Sequence, residues 1–418
     1  MLVRHLGNSF GLVGLMLVGA ASAGAALASP WDLDSLRREP VIEWAATTDH
    51  AGYTLQRLFF SNEAYEGRPT RVFAYLGRPK GIVGPAPGIV LVHGGAGKAF
   101  AEWAAQWAAY GYVALAMDLN GRDDQGRHLV DGGPIMGEGT LITDVAKGSI
   151  RDMWPYQATA AATRAVTLLS NDPAVKSDRV GIMGISWGSY VAGIVAGLDH
   201  RLAFAILAYG CGFFYEDSIY RMPLASMPEI SRAAWIGNFD QSRYLAGLEA
   251  PVFWLTDTTD HFFPLDSWTR SQGMTRAKST TLRVLPNWRH GYAPVWQTRE
   301  CRMFADQVTG GSEPLVRVTK AGQDRDRLWA DYTGSEPVTR AAVEFTDGAG
   351  DWEKRSWREQ PAILDSAAHR VTAQLPPGTT AAFVNLTDDR GAVTSGPCWM
   401  ADSPPGSPPR AALPQAGR

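Results

Sequence analysis

The stretch "DRVGIMGISWGSYVAGIVAG", residues 178–197, constrains this chain more than any other. An apolar strand runs into a tight turn, and a helix follows at once. The turn "GISWG" (184–188) fits the pattern G-x-S-x-G. A serine at the centre of such a bend carries its hydroxyl to the edge of the sheet. The residues two positions away are squeezed and must be small, and here they are Gly184 and Gly188. Gly188, Ala192, Gly193, Ala196 and Gly197 let the following helix lie close on the sheet. The pentapeptide alone occurs by chance. Set between that strand and that helix, it marks Ser186 as a nucleophile.

The surrounding pattern supplies the sheet. From about residue 70, apolar strands alternate with helices. "TRVFAYLGRP" (70–79) alternates as a strand, and "APGIVLVHGG" (86–95) is a continuous apolar run, as burial on both faces requires. "KAFAEWAAQWAAYG" (98–111) has Phe100, Trp103, Trp107 and Tyr110 at helical spacing. "YVALAMDLNG" (112–121) is a second buried strand, followed by a Gly-rich loop to about Trp154 and a helix over 155–170. Further strands are expected at 202–210, 251–257 and 280–287, with helices after the last two. This pattern predicts an α/β fold, a mainly parallel sheet with helices on both faces. The interval 211–250 interrupts the alternation and is expected to be a lid over the C-terminal edge of the sheet. Near residue 311 the period changes to two. "EPVTRAAVEFTDG", "HRVTAQLPPG" and "TTAAFVNLTDDRGAVTS" predict a small antiparallel β domain over 315–400. The expected organisation is a leader at 1–28, a main domain at 29–310, this β domain, and a disordered Pro-rich tail at 401–418. Trp352 and Trp357 in the β domain would favour carbohydrate binding if exposed, and packing against the main domain otherwise.

The order of elements selects the partners of Ser186. An acid should follow a later strand and a histidine the final one. Beyond Ser186 the histidines are His200, His261, His290 and His369. His200 opens a strand, His369 lies in the β domain, and His261 adjoins the candidate acid. His290 in "NWRHGY" is therefore the expected base. "TDTTDHFFPL" (256–265) offers two acids. Asp257 ends the strand. Asp260 lies in the loop, with reach to hold an imidazole, and is favoured, with Asp257 as fallback. A metal bound by Asp257, Asp260 and His261 would need further ligands, so no metal is expected. "HGGAG" (93–97) closes a strand and can aim backbone N–H groups at an oxyanion. Gly95 and Ala96 are the favoured donors, with Gly94 as alternative, and the N–H of Trp187 is the second. His93 precedes the nucleophile, which breaks the order, and is expected to be structural.

Composition narrows the setting. The chain has 418 residues and a net charge of −3, with no basic block to attract nucleic acid or an anionic membrane. The N-terminus carries Arg4, an uncharged apolar run and the small-x-small site Ala26-Leu27-Ala28, the form of a secretory leader. The mature chain is expected to be secreted or periplasmic, starting near Ser29, without stable membrane association. Three cysteines, Cys211, Cys301 and Cys398, make no disulfide framework.

Together these residues resemble the α/β-hydrolase superfamily. More narrowly, "LVHGGAGKAFAEW", "GISWGSY", "AYGCGFF" and "TDTTDHFFPLDS" look like an exported bacterial group of serine esterases described as acetyl xylan esterase-like or dienelactone-hydrolase-like. That group often carries a β domain similar to "VTAQLPPGTTAAFVNLTDDRG". The resemblance implies a carboxylic-ester hydrolase with a Ser-His-Asp triad, no cofactor, and a small-molecule or polysaccharide ester as substrate. Two departures stand out. Dienelactone hydrolases proper use a cysteine where this chain has Ser186. The acetyl xylan and cephalosporin deacetylases usually show Gln after the nucleophile and Glu after the base, where this chain has Trp187 and Gly291. A prolyl-oligopeptidase-type peptidase, which usually adds a large N-terminal propeller, and a non-catalytic binding protein with a relict site are the alternatives.

Overall fold

A computed structural model describes residues 29–137, 139–144, 148–216 and 218–401. The expected leader and the Pro-rich tail beyond residue 401 lie outside the described residues.

The sheet begins earlier than the sequence pattern suggests. Strands β1 (Ile42–Asp49), β2 (Tyr53–Tyr65) and β3 (Arg68–Pro79) form an antiparallel meander. β1 and β2 escape period-two reading because β2 is half-buried along almost its whole length. The parallel part follows: β4 (Ala86–Val92), β5 (Val113–Met117), β6 (Val175–Ile185), β7 (Phe204–Ala208), β8 (Val252–Asp257) and β9 (Thr280–Leu285). Across the sheet the order is β3-β5-β4-β6-β7-β8-β9. The crossover between β4 and β6 makes a switch point, where ligand sites of such sheets form at the C-terminal strand ends.

β4 shows why the apolar run is continuous. Val90 and Val92 face one core, and Ile89 and Leu91 face the other. On the first face lie helices that include α1 (Trp154–Asn171) and α2 (Trp187–Leu198); on the second lies α3 (Arg299–Thr309) through Cys301, Phe304 and Ala305. The expected α/β architecture is observed, with a mixed rather than purely parallel sheet. Interval 211–250 is helical, with its longest helix at Glu229–Phe239. Trp235 and Phe239 of that helix are buried in the first core. All three cysteines are buried free thiols. Among the described residues, no helix is long and apolar enough to cross a membrane.

The C-terminal strands do two things. One set, at 338–346, 358–361, 381–388 and 393–395, extends the main sheet past β9, where Ser395 pairs with Leu282. The Ser395 hydroxyl also accepts the Val284 N–H at 2.8 Å. The rest, at 317–324, 327–333, 363–365 and 370–374, form a separate four-stranded antiparallel sheet. Val343, Val384 and Leu386 of the first set meet Leu328, Ala330 and Val371 of the second in a third core. Trp357 is buried against Phe383, and Trp352 stacks on it and donates its indole N–H to Asp266 at 3.1 Å. These two indoles therefore pack between the C-terminal strands and the helix at 265–273.

Candidate active site

Ser186 joins β6 to α2 with φ 60° and ψ −124°, a strained conformation for a residue with a side chain. Its N–H donates to the Ala208 carbonyl on β7 at 2.7 Å, which anchors the bend. The tight neighbours follow from crossing backbones. A Cβ on Gly188 would strike the Val92 carbonyl oxygen, and one on Gly184 would strike the Gly188 carbonyl. Strand β4 and helix α2 can approach this closely only because both positions are glycine.

The loop after β9 carries His290, and the loop after β8 carries Asp260. His290 Nδ1 and Asp260 Oδ2 are 2.8 Å apart. The other carboxylate oxygen of Asp260 accepts the N–H groups of Phe262 and Phe263 at 2.8 and 3.0 Å. The acid is buried and held by three partners, so its charge is fixed against the imidazole. The ring of His290 lies between aromatic faces: Tyr209 at 4.7 Å, Phe262 at 4.9 Å and Phe263 at 6.1 Å, the last nearly parallel. Phe263 also touches Trp187, the residue after Ser186. The bend and the imidazole are thus linked through one shared ring.

Asp257 is buried at the end of β8, but one of its oxygens takes the N–H and hydroxyl of Thr259, at 2.7 and 2.9 Å. The same hydroxyl lies 2.8 Å from the Trp288 carbonyl, so its one hydrogen is shared between the two acceptors and ties the acid loop to the histidine loop. Burial first, then the neighbouring Asp260 carboxylate, push the Asp257 pKa up to about 7. His261 turns outward, its ring tilted against Phe262 and its Nδ1 3.6 Å from the Glu353 carboxylate. The three ionisable residues of "TDTTDHFF", Asp257, Asp260 and His261, therefore point to three different partners rather than converging on one ion.

His93 is buried and fully occupied. Its Nε2 accepts the Leu119 N–H at 2.9 Å, so its Nδ1 carries the proton and donates to the Gly94 carbonyl at 2.5 Å. It pins the loop 93–97 to the end of β5. In that loop the Gly94 N–H donates to the Tyr292 hydroxyl at 2.8 Å. Gly94 is therefore taken, while Gly95 is half-buried and Ala96 exposed beside the bend. Trp187 opens α2, so its N–H has no intrahelical acceptor and faces outward from the helix terminus. A candidate oxyanion hole between Gly95 or Ala96 and Trp187 is compatible with this arrangement.

Several residues here were missed by sequence reasoning. Tyr292 supports the glycine loop, and the ring of Tyr209 packs tilted against His290. Tyr209 has φ 61° and a buried hydroxyl, and burial together with the Asp257 and Asp260 charges drives its pKa far up. Tyr220, from the 211–250 interval, accepts the Trp187 indole N–H at 2.8 Å. Asn120, three residues past the end of β5, donates to the Gly95 carbonyl at 3.1 Å. Two polar residues, Asp118 and Asn120, closing an apolar strand were a readable signal of loop anchoring. No local pattern marks the tyrosines.

The sheet and the bend define an α/β hydrolase. The chain belongs to the dienelactone hydrolase family, whose model matches residues 72–300, over half its length. In fold it is similar to acetyl xylan esterase 1 from Thermoanaerobacterium sp. JW/SL YS485, at 18% identity and TM-score 0.53, covering 67% of this chain and 94% of that one. It is similar also to an acetyl xylan esterase from Paenibacillus sp. R4, at 18% identity and TM-score 0.53, covering 65% and 91%. No curated protein sequence matches the chain.

Proposed function

We propose that this protein is an exported serine carboxylic-ester hydrolase that removes small acyl groups, with acetylated carbohydrate as the expected substrate class. The observation that carries the proposal is the 2.8 Å contact of His290 Nδ1 with an Asp260 carboxylate whose other oxygen is held by two backbone N–H groups. An acid locked in this way fixes the imidazole tautomer, leaving Nε2 free to accept a proton. Ser186, on its strained bend, is the nucleophile.

In this mechanism Ser186 Oγ attacks the ester carbonyl while His290 Nε2 takes its proton. The oxyanion forms against the N–H of Trp187 and that of Gly95 or Ala96. His290 then protonates the leaving alcohol, and Asp260 stabilises the imidazolium. Water, deprotonated by His290, hydrolyses the acyl-enzyme and restores Ser186. Membership of a hydrolase family supports this chemistry. The names of the similar structures suggest the acetyl-polysaccharide substrate. Export rests on residues 1–28 alone, and N-terminal sequencing of the mature chain tests it.

Release of acetate from acetylated xylan, with labelling of Ser186 by a fluorophosphonate probe, tests the whole. Ser186→Ala should remove both. Acetate release that survives Ser186→Ala sinks the mechanism. An unlabelled wild-type protein supports a relict site, and cleavage of peptides but not esters supports a peptidase.

A further inference from the structure

One side chain stands directly on the candidate oxyanion loop without belonging to the triad. The position a Cβ on Gly95 would take lies 2.9 Å from Met136 Sδ and 3.0 Å from Trp187 Cδ1, and Met136 Cε is nearer still. Met136 thus fills the space between the loop 93–97 and the residue after the nucleophile.

It is held there by a buried amide. Asn120 is fully buried; its carbonyl oxygen accepts the Met136 N–H at 3.1 Å, and its NH₂ group donates to the Gly95 carbonyl at 3.1 Å. The same carbonyl oxygen accepts the Trp154 indole N–H at 3.2 Å, and that indole also donates to the Leu119 carbonyl at 2.8 Å. One side chain therefore sets the spacing of Met136 from Gly95. The loop carrying Met136 is anchored further on, where the Leu141 carbonyl accepts the Trp235 indole N–H at 2.9 Å.

The chemistry assigns a role to this position. In the tetrahedral intermediate that precedes the acyl-enzyme, the acyl carbon is bonded to Ser186 Oγ and its oxyanion points at the N–H groups of Gly95 or Ala96 and Trp187. The leaving alcohol must lie on the His290 side, because His290 protonates it. The acyl chain then leaves on the side away from His290, past the oxyanion donors, and the Cα side of Gly95 faces Met136 and Trp187 there. That is where the thioether stands. The rings of Tyr209, Phe262 and Phe263 pack around His290.

We propose that Met136, spaced by Asn120, is the end-stop of the acyl pocket and limits the enzyme to acetyl-sized acyl groups. This rests on the esterase function proposed above and names the residue that sets its acyl specificity. Trp187 is the second wall. Its indole is locked by the Tyr220 hydroxyl and by the rings of Trp154, Tyr190 and Phe214, so it does not swing aside for a longer chain.

The test is kcat/KM for p-nitrophenyl acetate, butyrate and hexanoate with wild type, Met136→Ala and Met136→Val. The readout is the ratio of acetate to hexanoate, which general loss of activity does not move. Wild type should favour acetate by at least about tenfold, since about one methylene is worth 10- to 200-fold in a closed apolar pocket. Met136→Ala should lower that ratio by about tenfold or more, and Met136→Val by less. If Met136→Ala does not fold, Met136→Val carries the same comparison. A wild type that accepts hexanoate as well as acetate overturns the inference. So does an active Met136 variant with an unchanged ratio; in both cases the esterase function stands. A wild type that turns over no ester and resists the fluorophosphonate overturns the esterase function, and this inference with it.

Discussion

The main-chain N–H of Gly94 donates to the phenolic oxygen of Tyr292 at 2.8 Å, a bond between segments 198 residues apart. It joins the loop of the candidate oxyanion hole to the turn that carries His290. Burial raises the Tyr292 pKa to about 12, opposed by the Gly94 hydrogen bond, so the phenol stays protonated at working pH. Tyr292→Phe keeps the ring among Phe100 and Trp296 but leaves the Gly94 N–H without its acceptor. A buried orphaned N–H costs about 1–3 kcal/mol. The variant should melt lower and lose kcat more than KM, as measured by thermal unfolding and by steady-state kinetics on p-nitrophenyl acetate.

The two aspartates should separate sharply on mutation. Asp260→Asn replaces the acceptor that holds His290 and should lower kcat by about 10⁴, the size of the tautomer effect in comparable triads. Asp257→Asn keeps a carbonyl oxygen for the Thr259 donors and should lower kcat less than about tenfold. Kinetics of the two variants check this, and the reverse order would exchange their roles.

Asp257 also sets a pH dependence of stability. Its folded pKa, about 7, lies above the unfolded carboxylate value. The native state therefore holds this proton more tightly than the unfolded chain does. Its contribution is fully present below about pH 4, falls as pH rises, and is lost above about pH 7, with a slope of up to about 1.4 kcal/mol per pH unit. Asp257→Asn carries no titrating proton. Its melting temperature should fall less than that of wild type between pH 5 and 8, and calorimetry across that range measures the difference.

Gly188 is a site where even one methyl group is too many. Its Cβ would meet the backbone of Val92 and His93, which cannot rotate away. Gly188→Ala should destabilise the protein by about 3 kcal/mol or more, since overpacking against backbone lies at the upper end of such costs. Denaturant unfolding measures this directly. A variant as stable as wild type would mean that α2 can shift on the sheet.

Much of the architecture was legible because its signals are local. A strand buried on both faces has to be a continuous apolar run, as in "GIVLV", and Ile89 to Val92 indeed divide between two cores. The pair Gly184 and Gly188 announced the close crossing of backbones at Ser186. β1 and β2 were not legible, because a half-buried meander carries neither a continuous apolar run nor clean alternation. The C-terminal strands were visible as strands. Whether they stood apart or extended the main sheet depends on edge pairing such as Ser395 with Leu282, which no periodicity encodes.

By itself the sequence determined the strand–turn–helix that presents Ser186, the order of residues that puts His290 and an aspartate after later strands, and the apolar runs of the parallel sheet. These follow from residue size and spacing along the chain. Only the tertiary structure decided which way each polar group faces. It set Asp260 on His290 and Asp257 on Thr259, gave the Gly94 N–H to Tyr292, and stood Met136 against Gly95. Those choices are made by partners brought together from distant segments, and a hydrogen bond needs its two atoms within about 3 Å of each other, a distance that only the folded chain defines.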